Sequence, residues 1–192
     1  MRGKPAKVLR PAEFRSLLAV AGRSRHPERN RVIVLLSVRA GLRACEIGAL
    51  EWRMVLTARG EIAPLLELPG WAAKKGGGRR IPIHAELKSA LKRLAAHGVT
   101  PKGPVVMSER GGRMTARSIV NWFARFYATL GLVGCSSHWG RRTFVTQAAR
   151  LIHQAGGSLR DVQQLAGHRS LSTTQGYIDG DADAQRKLMR LL

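Results

Sequence analysis

The stretch 165-LAGHRSLSTTQGY-177 sets Gly167-His168 nine residues ahead of Tyr177, and His138-Trp139-Gly140-Arg141 lies about thirty residues before that pair. Cutting a phosphodiester without a metal requires a nucleophile, positive charge on the nonbridging oxygens and a proton for the departing oxygen. A tyrosine, two histidines and an arginine can supply those functions. A free tyrosine, with a pKa of about 10, is ionised in only about one molecule in a thousand at pH 7, and nearby cations stabilise its phenolate. Arginine suits the oxygen clamp because its planar fork donates two parallel hydrogen bonds.

Composition points the same way. The 192 residues carry 33 Lys+Arg against 12 Asp+Glu, a formal charge of +21, and are 44% hydrophobic. A charge excess of that size repels itself unless a polyanion neutralises it, so nucleic acid is the default partner. The basic residues are spread through periodic apolar segments, which describes a folded basic domain and not a disordered tail. Cys45 and Cys135 form no C-x-x-C pair, which argues against structural zinc and for a reduced, intracellular setting. No apolar run reaches the roughly 18 residues of a membrane span, and Met1–Arg10 lacks the apolar stretch of a secretion signal. The expectation is a cytoplasmic protein, nucleoid-associated when bound to DNA, with no membrane partner.

Outward from the C-terminal stretch, the pattern is mainly helical. Pro11 opens a helix with Phe14, Leu17, Leu18 and Ala21 as its stripe, closed by Gly22. Val32 to Val38 has the composition of a strand but runs into Arg39-Ala40-Gly41, which reads as the end of a buried helix. A short helix is expected over Ala44 to Leu50. Trp52 to Leu56, Leu65 to Leu68 and Arg80 to Ile83 read as three short strands between glycines and prolines. Leu87, Leu91 and Leu94 mark a helix ending before Gly98, Pro101 to Arg113 is loop-rich, and Ile119 to Leu130 is a helix closed by Gly131. From His138 a helix presents Phe144, Ala148, Leu151 and Ile152 as its apolar face. Ser158 caps the next helix, which stops at Gly167, and Ser170 or Ser172 caps a short helix carrying Tyr177. Asp183 to Leu192 can form an amphipathic tail. The fold class expected is therefore mainly α with a small three-stranded antiparallel sheet.

The order Gly41-Leu42-Arg43-Ala44-Cys45-Glu46, a lysine in a hairpin, His138-Trp139-Gly140-Arg141, Leu165-Ala166-Gly167-His168 and Tyr177 resembles the tyrosine recombinase, or phage integrase, family. Trp139 and Gly140 depart from it, since many relatives have an acidic and then an aliphatic residue there. The match runs from about Leu9 to Tyr177 and resembles the catalytic half alone, as in the short fimbrial phase-variation invertases. It implies one catalytic domain over residues 1–192, without a separate N-terminal core-binding domain, and with residues 181–192 as a tail for subunit contact.

The resemblance also implies the chemistry. Tyr177 attacks the scissile phosphate and becomes linked to the 3′ side, releasing a 5′-hydroxyl; a partner strand's 5′-hydroxyl reverses the step, so neither ATP, metal nor other cofactor is needed. Arg43 and Arg141 hold the nonbridging oxygens, His138 and His168 bind the phosphate or shuttle protons, and Glu46 orients their side chains. The general acid is a hairpin lysine: spacing from Pro82 selects Lys74, the preference for a following glycine selects Lys75, and Lys74 is favoured. Lys75, Arg79 and Arg80 are expected to contact DNA. Double-stranded DNA is the partner, bound by a homotetramer that is a monomer when free, with an accessory protein as a further possibility.

Each piece also has a plainer reading. The Lys74 to Arg80 charges fit a solvated hairpin tip, Arg43 fits a helix cap paired with Glu46, His168 fits a histidine on a helix dipole, and Tyr177 fits a ring packed on the core. His26, His84, His97 and His153 match no motif. Trp52, Trp71, Trp122 and Trp139 read as core or rim residues, because no aromatic interleaving accompanies the basic stretches. A DNA-binding regulator that has lost cleavage, and a type IB topoisomerase relaxing supercoils, are the alternatives to a site-specific recombinase.

Overall fold

The computed structural model describes residues 8–73, 76–96, 98–132, 134–177 and 189–190. Lys74, Lys75, His97 and most of the expected Asp183 to Leu192 tail lie outside the described residues. The chain enters through Leu9, whose backbone N–H donates to Thr143 Oγ1 at 2.9 Å. Helix α1 (Pro11–Gly22) follows, started by Pro11 and by Glu13, whose carboxylate accepts from the Arg10 backbone N–H at 2.7 Å and from its Nε at 2.9 Å. Phe14, Leu17 and Ala21 bury its stripe.

Helix α2 (Pro27–Val38) is buried at every position from Val32 to Val38. A helix apolar all round must sit inside other elements. It packs on α1 and on three later helices: α3 (Ala44–Ala49), α4 (Ala85–Ala95) and α6 (His138–Leu151). The ambiguity between strand and helix at Val32–Val38 is therefore settled by neighbours on all sides. Gly41 ends the segment at φ +63°, and the ring of Phe144 lies 2.4 Å from where a Cβ would stand, so no larger residue fits.

The sheet is smaller than expected. Strand β1 (Leu65–Leu68) pairs antiparallel with β2 (Arg79–Pro82), with Leu66 opposite Ile81 and Glu67 opposite Arg80. Among the described residues it has two strands, because Trp52–Met54 is a 3₁₀ turn, and within the expected Trp52 to Leu56 strand Leu56 alone forms an isolated bridge, to Ile62. Met54 and Val55 are buried in succession, which a half-buried strand of period two does not allow. Their backbone is instead tied to a loop: Trp52 and Arg53 N–H groups donate to Gly103 and Pro101 carbonyls. The mainly helical class with a small antiparallel sheet holds.

Helix α5 (Ala116–Thr129), capped by Thr115 Oγ1, buries Ile119, Trp122, Phe123 and Tyr127 against α3 and α1. Helix α6 differs in its faces from the sequence expectation. It is wedged between α2 and α7 (Leu159–Ala166), so Trp139, Arg141, Thr143, Val145, Thr146 and Ala149 are buried. Phe144, Ala148 and Ile152 are only half-buried, beside a small cluster of Val145, Ala149, Val162 and Ala166, and Leu151 is exposed. Ser158 and Asp161 cap α7, and Gly167 closes it in the left-handed region. Ser170 caps α8 (Leu171–Gln175); Tyr177 stands just beyond that helix and not within it.

Replacing Gly41 with alanine is expected to cost about 2–4 kcal/mol, from left-handed strain plus the collision with Phe144. Urea denaturation of Gly41→Ala in the wild-type and Phe144→Ala backgrounds checks this. The cost should be smaller in the second background, where only the backbone strain persists.

Candidate phosphate-binding active site

Strand β2 carries two adjacent arginines on opposite faces, because side chains alternate across a strand. Arg80 points outward to Glu67, with Nε 3.1 Å from Oε1 and the guanidinium largely exposed. Arg79 shares the inward face with Ile81, and its side chain is only 6% exposed. Its Nη1 and Nη2 donate to Glu46 Oε1 and Oε2 at 3.1 and 2.9 Å, and its Nε donates to the Leu165 carbonyl at 2.9 Å. Arg79 therefore departs from its expected place as a surface contact. The signal was present in the sequence: Arg79 lies two residues before a buried isoleucine on the same strand.

Glu46 is fully buried and serves two arginines. Arg43, the N-cap of α3, donates its backbone N–H to Glu46 Oε2 and its Nη1 to Oε1, both at 2.9 Å. The plain reading of Arg43 as a helix cap and its reading as a site residue thus describe one arrangement. Burial works against the Glu46 carboxylate, but the hydrogen bonds and charges of Arg79 and Arg43 prevail and lower its pKa to about 2.

Arg141 enters from the first turn of α6 and is 2% exposed. Its Nη1 donates to the Gly41 carbonyl and its Nη2 to the Ala166 carbonyl, so one guanidinium joins the turn before Arg43 to the end of α7. Burial lowers its pKa, as do Arg43 and Arg79, while Glu46 and Tyr177 oppose the shift. It remains a cation at neutral pH. Three guanidinium groups around one carboxylate leave a local positive excess.

His168 follows Gly167 directly, and the left-handed glycine turns the imidazole back toward this cluster. It is buried, with Nδ1 2.9 Å from Thr174 Oγ1. Burial, then Arg141, Arg43 and Arg79, lower its pKa to about 4, so the ring is neutral at pH 7. Tyr177 stacks on it, with ring centroids 5.3 Å apart and planes 24° from parallel. The Arg142 guanidinium also lies over the Tyr177 ring, 5.3 Å from its centroid, and Thr146 Oγ1 donates to the Tyr177 carbonyl at 3.2 Å. Sequence reasoning missed Arg142 and Thr174, since neither belongs to a spaced motif.

His138, the exposed first residue of α6, lines a cleft of about 560 Å³ with Arg43, Cys45, Trp71, Ala73 and Ser137. Ala73, the last described residue before Lys74 and Lys75, lies on the cleft wall. Arg43, Glu46, Arg79, Arg141, His168 and Tyr177 form one cluster, and His138 shares the cleft with Arg43. Arg80 stands apart, on the opposite face of its strand. His26 and His84 lie near the surface, with Glu109 and Glu86 as their neighbours.

The phage integrase family model matches residues 7–183. The chain belongs to the phage integrase family. Its similarity to curated members includes the tyrosine recombinase XerC of Nitrobacter winogradskyi, 31% identical over 188 residues covering 94% of this chain and 56% of that protein. Pelobacter propionicus XerC is 32% identical over 153 residues, covering 78% of this chain and 47% of that protein. This phage integrase family chain thus spans about half the length of the curated relatives it matches. Among solved structures, the XerA recombinase superposes with a TM-score of 0.76 at 22% identity, covering 98% of this chain and 65% of that one. The Tn1549 transposon integrase, in complex with a circular intermediate DNA, superposes at 0.75 with 20% identity, covering all of this chain and 67% of that one. At such identities the superpositions establish a shared fold.

Two outcomes follow from the buried charges. Glu46→Gln leaves two guanidinium groups uncompensated and should destabilise the fold by about 3–5 kcal/mol in urea denaturation. His168, depressed from 6.5 to about 4, contributes stability that is present above pH 6.5 and lost as the pH falls through 4. Melting temperatures across that window should therefore fall less steeply for His168→Gln than for the wild type.

Proposed function

We propose that the chain is the catalytic portion of a site-specific DNA recombinase that cuts and rejoins strands through a 3′-phosphotyrosine link. The observation that carries this reading is the buried positive excess of Arg43, Arg79 and Arg141 around Glu46, directly beside a neutral imidazole and a tyrosine. A pocket built with uncompensated positive charge is stabilised by an anion of low charge density held by several donors, and a phosphodiester is such a group.

In the proposed reaction the Tyr177 hydroxyl oxygen attacks phosphorus and the bond to the 5′ oxygen breaks. The phenolic proton is taken up by a base, for which neutral His168 is suited, because Thr174 engages Nδ1 and leaves Nε2 for a substrate-side partner. The departing 5′ oxygen receives a proton from Lys74, or from Lys75 in its place. Arg43 and Arg141 bind the nonbridging oxygens, with His138 contributing from the cleft rim. Glu46 and Arg79 hold the clamp in position and do not touch the substrate. Reversal by another strand's 5′-hydroxyl conserves the bond energy, so no metal or nucleotide is consumed.

The proposed partner is double-stranded DNA, gripped through Arg80, Lys75 and the wider basic surface. For such contacts log K falls with log salt by about 0.9 per phosphate neutralised. Strand exchange requires more than one active site, which supports a tetramer on DNA; residues 181–192 are proposed as its subunit contact. The proposed domain assignment is one catalytic unit over residues 1–192, acting in the cytoplasm.

Incubating the protein with a pool of nicked duplexes of randomised sequence should yield a DNA adduct that survives detergent and is absent for Tyr177→Phe. Arg43→Ala should slow its formation by roughly 10²–10³-fold, as for loss of an oxyanion donor. Equal detergent-resistant product from wild type and Tyr177→Phe would refute the assignment, and DNA retardation without any adduct would favour a non-cleaving binding protein.

A further inference from the structure

Trp71 is 58% exposed, whereas Trp52, Trp122 and Trp139 are each 8% exposed or less. An indole left in water forfeits more burial energy than any other side chain, and the local structure holds it there. It occupies a tight turn in which Ala72 and Ala73 N–H groups donate to the Pro69 carbonyl at 3.0 and 3.1 Å. Ala72 and Ala73 are themselves buried, so the turn is anchored on both sides of hydrogen bonding and packing while the indole projects outward. Gly70 packs so closely on the Gly76 carbonyl that a Cβ there would stand 2.9 Å from it, which fixes the base of the turn.

The position of the ring is more telling than its exposure. Trp71 forms a wall of the Arg43 and His138 cleft and also of a second groove that holds Arg53, Arg79 and Arg80 with the single carboxylate Glu67. Arg53, paired with Glu51 at 2.7 Å, backs the indole with its guanidinium 5.8 Å from the ring centroid. An aromatic face flanked by cations on both sides combines the two elements that hold an unpaired nucleotide: charge for the phosphates and a stacking surface for the base.

We infer that Trp71 is a nucleobase-stacking residue of the DNA site, taking a base of the strand whose phosphate lies in the adjoining cleft. This rests on the strand-transfer reading, under which the cut strand must leave its partner before a new strand is joined, so unstacked bases arise beside the reacting phosphate. The occupant is a nucleobase and not an apolar peptide, because arginines border the ring on either side. The sequence expectation that no tryptophan serves as a stacking platform is thereby revised for Trp71 alone.

The test uses intrinsic tryptophan fluorescence and a gapped oligonucleotide duplex, with Trp71→Phe and Trp71→Ala beside the wild type. The gapped duplex should quench an emission component that Trp71→Phe lacks. Trp71→Ala should bind this duplex roughly 5- to 100-fold more weakly, as for loss of one stacked base, with most of the affinity retained in Trp71→Phe. The slope of log K against log salt should be unchanged in Trp71→Ala, since no charge is removed, whereas Arg80→Ala should make it shallower by about one. Quenching that persists unaltered in Trp71→Phe, or wild-type affinity in Trp71→Ala, would overturn the inference. The Tyr177-dependent adduct separates the two claims. If the wild type forms it while Trp71 neither quenches nor affects binding, strand transfer stands and stacking falls; if no adduct forms yet Trp71 quenches, the reverse holds. Should Trp71→Ala fail to fold, the Trp71→Phe fluorescence comparison still decides.

Discussion

A single buried carboxylate, Glu46, holds two guanidinium groups that arrive from different parts of the chain, Arg43 at the head of α3 and Arg79 on β2. Arg141 completes the arrangement through the Gly41 and Ala166 carbonyls, linking residues 100 and 25 positions away. Burying ionised groups costs several kcal/mol each, and ion pairing offsets that only when the geometry is good and the remaining donors are satisfied. Here Arg79 and Arg141 donate in addition to backbone carbonyls at helix and turn ends, so the clamp and the fold stabilise one another. What pairing does not cancel is the net positive charge, which is left for a ligand.

Burial first, and then that residual charge, account for the state of His168. A buried imidazole beside three guanidiniums is held neutral, and its lone pair is then available as an acceptor. An anion entering the clamp reverses the electrostatics, because it offsets the arginine charges that depress the ring. Proton affinity at His168 is in this way coupled to occupancy of the clamp. Tyr177 stacks on the same ring, with the two planes 24° from parallel, and this contact fixes the position of the phenol. Arg142 adds a cation above the tyrosine ring, where the quadrupole attracts it.

Much of this was legible from the chain because spacing encodes it. Gly41 and Gly167 mark turns that only glycine adopts without strain, and each immediately precedes the segment carrying a site residue. The R-x-x-E spacing of Arg43 and Glu46 is a helix-start geometry, and it lets the Glu46 carboxylate accept from both the backbone N–H and the guanidinium of Arg43. Other features required tertiary neighbours. Helix α6 is sandwiched, so an apolar stripe read from one face chose Leu151, which is exposed, over Val145, which is buried. Trp52 to Leu56 has strand-forming residues, yet hydrogen bonds to the Pro101 and Gly103 carbonyls turn it aside. Arg79 and Arg80 looked equivalent as a charge run, and only the facing of the strand separates a structural ion pair from a solvent-facing cation.

The same separation divides affinity from discrimination. A surface with a formal charge of +21 attracts any duplex, and phosphate contacts carry no sequence information of their own. Arginines inside the clamp are equally indifferent, since every phosphodiester presents the same oxygens. Under the proposed strand transfer, selectivity for where the strand opens must therefore come from groups whose interaction energy depends on the nucleotide itself. In its proposed stacking role Trp71 meets that requirement: its contribution would depend on whether a base can leave its stack, a property that varies from step to step along DNA. Cationic clamp and aromatic rim are thus complementary, one blind to sequence and strong, the other weaker and responsive to local unpairing.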